Sequence, residues 1–146
     1  MAEALYTIEI LRLAASTTKW PPLTDADGNA ERRSPTCGSR VAVDVATDGA
    51  GRVARIGLTV SACALGQAAA AIMAAGAIGR DADAMRAAHA ELADYLTGAS
   101  DTLPDWPDIA RLSAARAYPG RHASILLAFD AASAALADVK AERAHG

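Results

Sequence analysis

The feature that most constrains this chain is a change of hydrophobic period partway along it. From Arg40 to Ala46 the residues alternate, with Val41, Val43 and Val45 on one face. A Gly-containing loop follows from Thr47 to Gly51, and Arg52 to Val60 reads as a returning strand. Immediately after this the alternation stops, and an alanine-rich run from Gln67 to Ala77 takes over, ending at Gly79. Period two predicts a half-buried antiparallel hairpin, and the run after it predicts a helix. An additional short strand before Cys37 would complete a three-stranded meander. Strands followed by a block of helices indicate α+β, because alternating elements would be needed for a parallel sheet.

The remaining helices are read from apolar spacing and stop signals. Ala2 to Ala15 is expected as an amphipathic helix with Leu5, Ile8 and Leu11 on its inner face. Trp20-Pro21-Pro22 ends it. Asp81 to Leu96 is expected as a helix, capped by Asp81 and closed by Gly98, burying Met85, Ala88, Leu92 and Leu96. A short helix over Asp108 to Ala117 and a final one over Arg121 to Arg143 follow. Asp101, Asp105 and Asp108 read as capping residues. Trp20 and Trp106 read as loop anchors on the core. At 146 residues, without a repeat or linker, the chain is expected to form one domain.

Composition removes several classes of function. A net charge of −3 and a pI near 5.5 do not supply the basic field that nucleic acid requires. The longest apolar stretch, Ala68 to Ala75, falls short of the roughly 18 residues of a membrane span. The start carries Glu3 and Glu9 with no basic region before an apolar core, so no secretory signal is read there and the cytosol is the expected compartment. No phosphate loop, dinucleotide fingerprint or HExxH segment is present. Ser34, Ser39 and Ser61 have no His/Asp partner pattern for a hydrolase triad.

Two cysteines remain. Cys37 lies in the loop Ser34-Pro-Thr-Cys-Gly-Ser39, and Cys63 lies where the second strand gives way to a helix. A separation of 26 residues is too long for a local metal knuckle but suits two loops at one end of a hairpin. In a reducing compartment a disulfide is not the default reading. The dipole of the following helix favours thiolate at Cys63, the form that binds iron or zinc and accepts sulfur. Burial of both thiols as inert core residues is the competing reading. His89 reads as a solvated helix residue and His145 as part of a tail, whereas His122 stands just before or within the last helix.

The ordered set ERRSPTCGSRVAVDV, a Gly hairpin, then VSACALGQAAAAIMA resembles the core of the IscU/SufU/NifU N-terminal family of iron–sulfur cluster assembly scaffolds. LYTIEILRLAAS resembles that family's first helix and YPGRHASILLAFDAASAAL its last. The long separation between Cys63 and the last helix resembles the SufU branch, whose helical insert would lie within Asp81 to Arg116. The resemblance implies an N-terminal helix, a small antiparallel meander and a packed cluster of C-terminal helices. It also implies a non-enzymatic protein that holds a [2Fe–2S] cluster or iron, with zinc as an alternative. A cysteine desulfurase would be one partner and cluster-acceptor proteins others.

Carried over residue by residue, the resemblance makes Cys37 and Cys63 the first two ligands. The family's aspartate falls on Ser39. Its third cysteine falls on Ser124, or on Ala123 if His122 takes the place of the preceding histidine. His122 is then the nearby substitute ligand, with Ser39 and Ser124 as weaker oxygen donors. On a helix His122 and Ser124 point about 200° apart, so at most one of them faces the site. A [2Fe–2S] cluster needs four terminal ligands, so two chains each giving Cys37 and Cys63 would complete it as a homodimer. The alternatives are a degenerate member that binds a desulfurase without metal, and a sulfur-transfer accessory. Ala117-Tyr-Pro-Gly-Arg121 stands where the family's Leu-Pro-Pro-Val-Lys-type chaperone segment would be. Arg32 and Arg33 could face an acidic partner or simply be solvated.

Overall fold

A computed structural model of the chain describes residues 5–34 and 38–145, with side chains described as far as residue 139. Three strands, β1 (Gly28–Arg33), β2 (Arg40–Thr47) and β3 (Val53–Ser61), form an antiparallel sheet in the order β1-β2-β3. Arg33 pairs with Arg40, Arg40 with Ser61 and Val41 with Val60, so the β1–β2 turn and the end of β3 share one edge of the sheet. Val41, Val43 and Val45 are fully buried, as the alternation requires. A bulge at Ala46/Thr47 is held by Asp27, whose Oδ2 accepts from the Thr47 N–H at 2.8 Å. Gly28 lets β1 lie against the last helix, since a Cβ there would collide with the Ala135 carbonyl and Val139.

Helix α1 spans Ile8–Ala15, shorter than the expected Ala2–Ala15. Thr7 starts it by accepting the Ile10 N–H at 3.2 Å, and residues 1–4 lie outside the described part. Its face differs from expectation. Ile10 and Ala14 are buried, whereas Ile8 is 64% and Leu11 50% exposed. Both sides of this helix are apolar, so spacing alone does not choose between them. The side packed on the alanine-rich helix α2 is the one with Ile10 and the small Ala14.

Helix α2 (Ala64–Ala77) starts three residues before the expected Gln67 and is buried along most of its length. Helix α3 (Ala82–Thr97) agrees with the reading in cap, stop and core. Asp81 accepts the Ala84 N–H at 2.9 Å, Gly98 closes it at φ 88°, and Met85, Ala88, Leu92 and Leu96 are buried. The short helix expected at Asp108–Ala117 is a 3-10 segment, Ile109–Ala117. Asp108 sits at φ 61° without a side-chain cap bond, and Asp101 is paired with Arg116 at 2.7 Å, so neither is a cap. Trp106 is an anchor as read. Its Nε1 donates to the Ile72 carbonyl at 2.8 Å, and its ring meets Phe129 edge-on at 5.3 Å.

Helix α4 (His122–His145) covers the sheet and packs on α2 and α3, so the core lies between it, β1–β2 and the inner helices. By length and composition its stretch Pro119–Val139 could cross a membrane, but 56% of that window is buried inside the fold. The apolar content is that of a core helix.

Candidate functional site

The site is assembled at the edge of the sheet where β3 hands over to α2. After Ser61 the chain turns through Ala62 to Cys63, which is extended (φ −62°, ψ 167°) and forms the N-cap of α2. Its carbonyl accepts the Gln67 N–H at 2.9 Å, and the Gln67 side chain returns to the Ala62 carbonyl at 3.1 Å. The Cys63 side chain makes no capping bond among the described residues, so the thiol is half-buried beside the open N–H groups of a helix start.

The first turn of α4 lies against this start. Ser124 is 2% exposed. A Cβ built on Gly66 would stand 3.5 Å from the Ser124 carbonyl and 3.8 Å from its Cβ, and 2.9 Å from the Ala62 Cβ. Gly66 follows Cys63 by three residues, so it occupies the same side of α2. Its missing side chain is what lets Ser124 approach. His122 turns elsewhere: its Nε2 lies 3.0 Å from the Ala115 carbonyl at the end of the 3-10 segment. Ser124 and His122 therefore point to different neighbours, as their helical separation requires.

The β1–β2 turn supplies the third part of the rim. The Ser34 N–H donates to the Ser39 carbonyl at 2.8 Å and the Gly38 N–H to the Ser34 carbonyl at 3.2 Å, with Gly38 at φ 70°. Ser34 and Ser39 are both buried. Cys37, the other candidate ligand, lies outside the described residues. At the base of this turn Glu31 pairs with Arg33 at 3.0 Å and with Arg40 at 3.7 Å, while Arg32 meets Asp130 at 3.5 Å. Arg32 and Arg33 are thus strand residues held in exposed ion pairs.

Among the described residues no group of three His, Cys, Asp or Glu side chains could hold a metal ion. The described donors at the rim are one thiol, Cys63, and the hydroxyls of Ser34, Ser39 and Ser124. That set alone does not fit a cluster with four terminal thiolates. Gly66 is the residue that reading the sequence missed as part of the site. Its signal was available, since a glycine inside a helical pattern marks a close approach. A cleft of about 340 Å³ at the opposite end, beside Thr47, Asp81 and Asp83, holds none of the candidate ligands.

No family model matches the chain, and no curated protein matches it. Solved structures do. A NifU-like protein (N-terminal) from Brucella abortus is 33% identical, with a TM-score of 0.86 over 94% of this chain and 96% of its own. An iron–sulfur cluster assembly scaffold protein for the SUF system from Fervidobacterium islandicum shares the fold at 19% identity, with a TM-score of 0.81 over 90% and 96%. A third, hypothetical protein matches at 20% identity and a TM-score of 0.65, over 88% of this chain and 96% of its own. The uncovered share of this chain is too small to contain 81–116, so that segment is matched in large part in both of the first two structures.

Proposed function

This chain belongs to the NifU-like N-terminal family of iron–sulfur cluster assembly scaffolds, and we propose that it carries iron, or a [2Fe–2S] cluster, as cargo on Cys37 and Cys63. The observation that carries this reading is the state of Cys63. It occupies a helix N-cap without a side-chain capping bond, a position where Ser or Asp would stabilise the helix more. A thiol there, three residues before the Gly66 that Ser124 packs against, suits a ligand position better than a structural one.

The resemblance puts the family's third cysteine on Ser124 or on Ala123, and on either placement this chain has no thiolate at the start of the last helix. One chain then offers two thiolates where a cluster needs four. Ser39 and Ser124 are weak oxygen donors, and His122 would have to leave the Ala115 carbonyl or bind through its other ring nitrogen. The ligand set is completed by a second copy, giving two thiolates from each chain. Zinc, also a four-ligand ion in closed sites, would use the same residues. The chain's chemistry is to hold and pass on cargo in the cytoplasm, receiving sulfur from a cysteine desulfurase and giving the cluster to acceptor proteins.

The test is anaerobic purification followed by assay of iron, zinc and acid-labile sulfide per chain, before and after supplying iron with a cysteine desulfurase and cysteine. Equal iron and sulfide, lost in Cys37→Ser and in Cys63→Ser, is the expected result. Neither metal nor sulfide in a folded protein overturns it. Ser124 favours one second reading in that case, a metal-free member that occupies a desulfurase. Zinc retained through purification, with faster desulfurase turnover, would instead identify a sulfur-transfer accessory.

A further inference from the structure

Helices α1, α2 and α3 are started in two different ways. Thr7 and Asp81, the N-caps of α1 and α3, each fix their own helix start. They accept N–H groups of the first turn, from Ile10 at 3.2 Å and Ala84 at 2.9 Å. The Cys63 side chain does not do this for α2, and the start is fixed from inside the helix instead. The Gln67 N–H donates to the Cys63 carbonyl at 2.9 Å, and its Nε2 donates to the Ala62 carbonyl at 3.1 Å. Those two carbonyls belong to the rigid peptide planes on either side of the Cys63 Cα. One residue therefore holds both planes, and with them the backbone angles of Cys63 (φ −62°, ψ 167°) and the direction of its Cα–Cβ bond.

The residue before Cys63 is held a second time. A Cβ on Gly66 would stand 2.9 Å from the Ala62 Cβ. An alanine Cβ has no torsion with which to turn away, so only a backbone shift would relieve that contact. Glycine at 66 thus leaves Ala62 where the Gln67 side chain takes its carbonyl. We propose that Gln67 and Gly66 are positioning residues for Cys63, fixing where the thiol points without engaging the sulfur. The link to cargo rests on the reading above, whereas the clamp on the Cys63 backbone stands apart from it. A ligand whose direction is set beforehand loses less conformational freedom on binding and holds a metal more tightly. A cysteine that capped the helix with its own side chain would have its sulfur committed to the first turn. With Gln67 in that role the sulfur is left for cargo.

Gln67→Met tests this, because it keeps the length of the side chain and removes the Nε2 donor. Nitrogen-15 relaxation of the metal-free variant should show extra backbone motion at Ala62, Cys63 and Ala64, with the rest of α2 unchanged. Loaded with iron and sulfide, the variant should lose iron to a chelator about tenfold faster or more, as a metal site does when it loses an outer-shell partner. Gly66→Ala should act in the same direction on both readouts by displacing Ala62. Far-UV circular dichroism verifies that each variant is folded. Asp81→Ala, which removes the cap bond of α3, is the comparison. It should lower the urea midpoint by a similar amount and leave iron loss unchanged, whereas a purely structural role for Gln67 would give both variants the same iron loss. Unchanged relaxation at 62–64 in Gln67→Met overturns the clamp. Extra motion there with unchanged iron loss overturns the positioning role. A parent chain that takes up neither iron nor sulfide overturns the cargo reading instead, and the relaxation data then decide the clamp by themselves.

Discussion

The two ends of α2 are built on opposite plans. At the C-terminal end Arg80 closes the helix, its Nε donating to the Gly76 carbonyl at 2.7 Å and its Nη2 to the Asp105 carbonyl at 3.1 Å. The same guanidinium lies 3.9 Å over the Trp106 ring, and Gly76 has no Cβ because that indole fills its place. At the N-terminal end the cap is a cysteine with no side-chain capping bond among the described residues, and the Gly66 of this first turn lies against a buried serine, Ser124. Helix α3 shows what an ordinary start looks like in this protein, with Asp81 bonded to the Ala84 N–H. The contrast teaches that one end of α2 is arranged for stability, while the other leaves a stabilising bond unmade and keeps a thiol.

The largest effect should come from breaking the closed end. Trp106→Ala removes a buried ring, its bond to the Ile72 carbonyl and its contact with Phe129, and should lower unfolding free energy by about 3–5 kcal/mol in a urea titration. Iron per folded chain at low temperature should not change. A parallel loss of iron from protein that is still folded would show that the two ends are coupled.

At the open end the sign should reverse. Cys63→Ser should remove iron and sulfide yet raise metal-free stability by about 0.5–1 kcal/mol, since serine is a better N-cap. Ser124→Cys should do the opposite for cargo. It returns a third thiolate beside Cys63 and should slow iron loss to a chelator by at least the roughly 10–100-fold that loss of an outer-shell partner costs a metal site. Unchanged chelation kinetics would mean that residue 124 does not face the cargo. Asp81→Ala, the control at the ordinary helix start, should cost about 1 kcal/mol and leave iron content alone.

Much of this contrast could be read before the fold was known, though unevenly. The sheet, its buried valines and the whole of α3 were legible because each signal had one interpretation: alternation for β2, and a capped helix with one apolar face for α3. The place of Cys63 at a helix start was legible for the same reason. The inner face of α1 was not, because two apolar stripes satisfy the same period and only the shape of α2 decides between them. Asp108 was misread because an aspartate before a helical run signals a cap only if its backbone is extended, and here it is left-handed. That His122 and Ser124 diverge follows from helix geometry, but which of them meets α2 depends on Gly66, a contact between distant segments.

The smallest predicted effect concerns acid, and the part of it carried by Asp25 and Asp48 lies toward the closed end of α2. Gly79 and Arg80 are bonded to Val53 of β3, and the charged pairs beside this strand start are exposed. The Arg55 guanidinium bonded to Asp25 at 2.8 and 2.9 Å holds the Asp25 carboxyl below its ordinary value of 3.8. Backbone N–H groups of Arg52 and Ala50 do the same for Asp48. A carboxyl whose folded pKa is depressed contributes stability that is full above the unfolded value and is lost as pH falls through the folded one. The metal-free protein should therefore lose melting temperature as pH drops from about 5 to below 3.8, and Asp25→Asn should flatten part of that slope. Full exposure of these groups keeps the effect small and sensitive to salt. Iron release in the same pH range should be indifferent to Asp25→Asn, since protonation of thiolate ligands is a separate event at the other end of α2. If the substitution moved iron release along with melting, the ends of α2 would not be the independent regions that their contacts indicate.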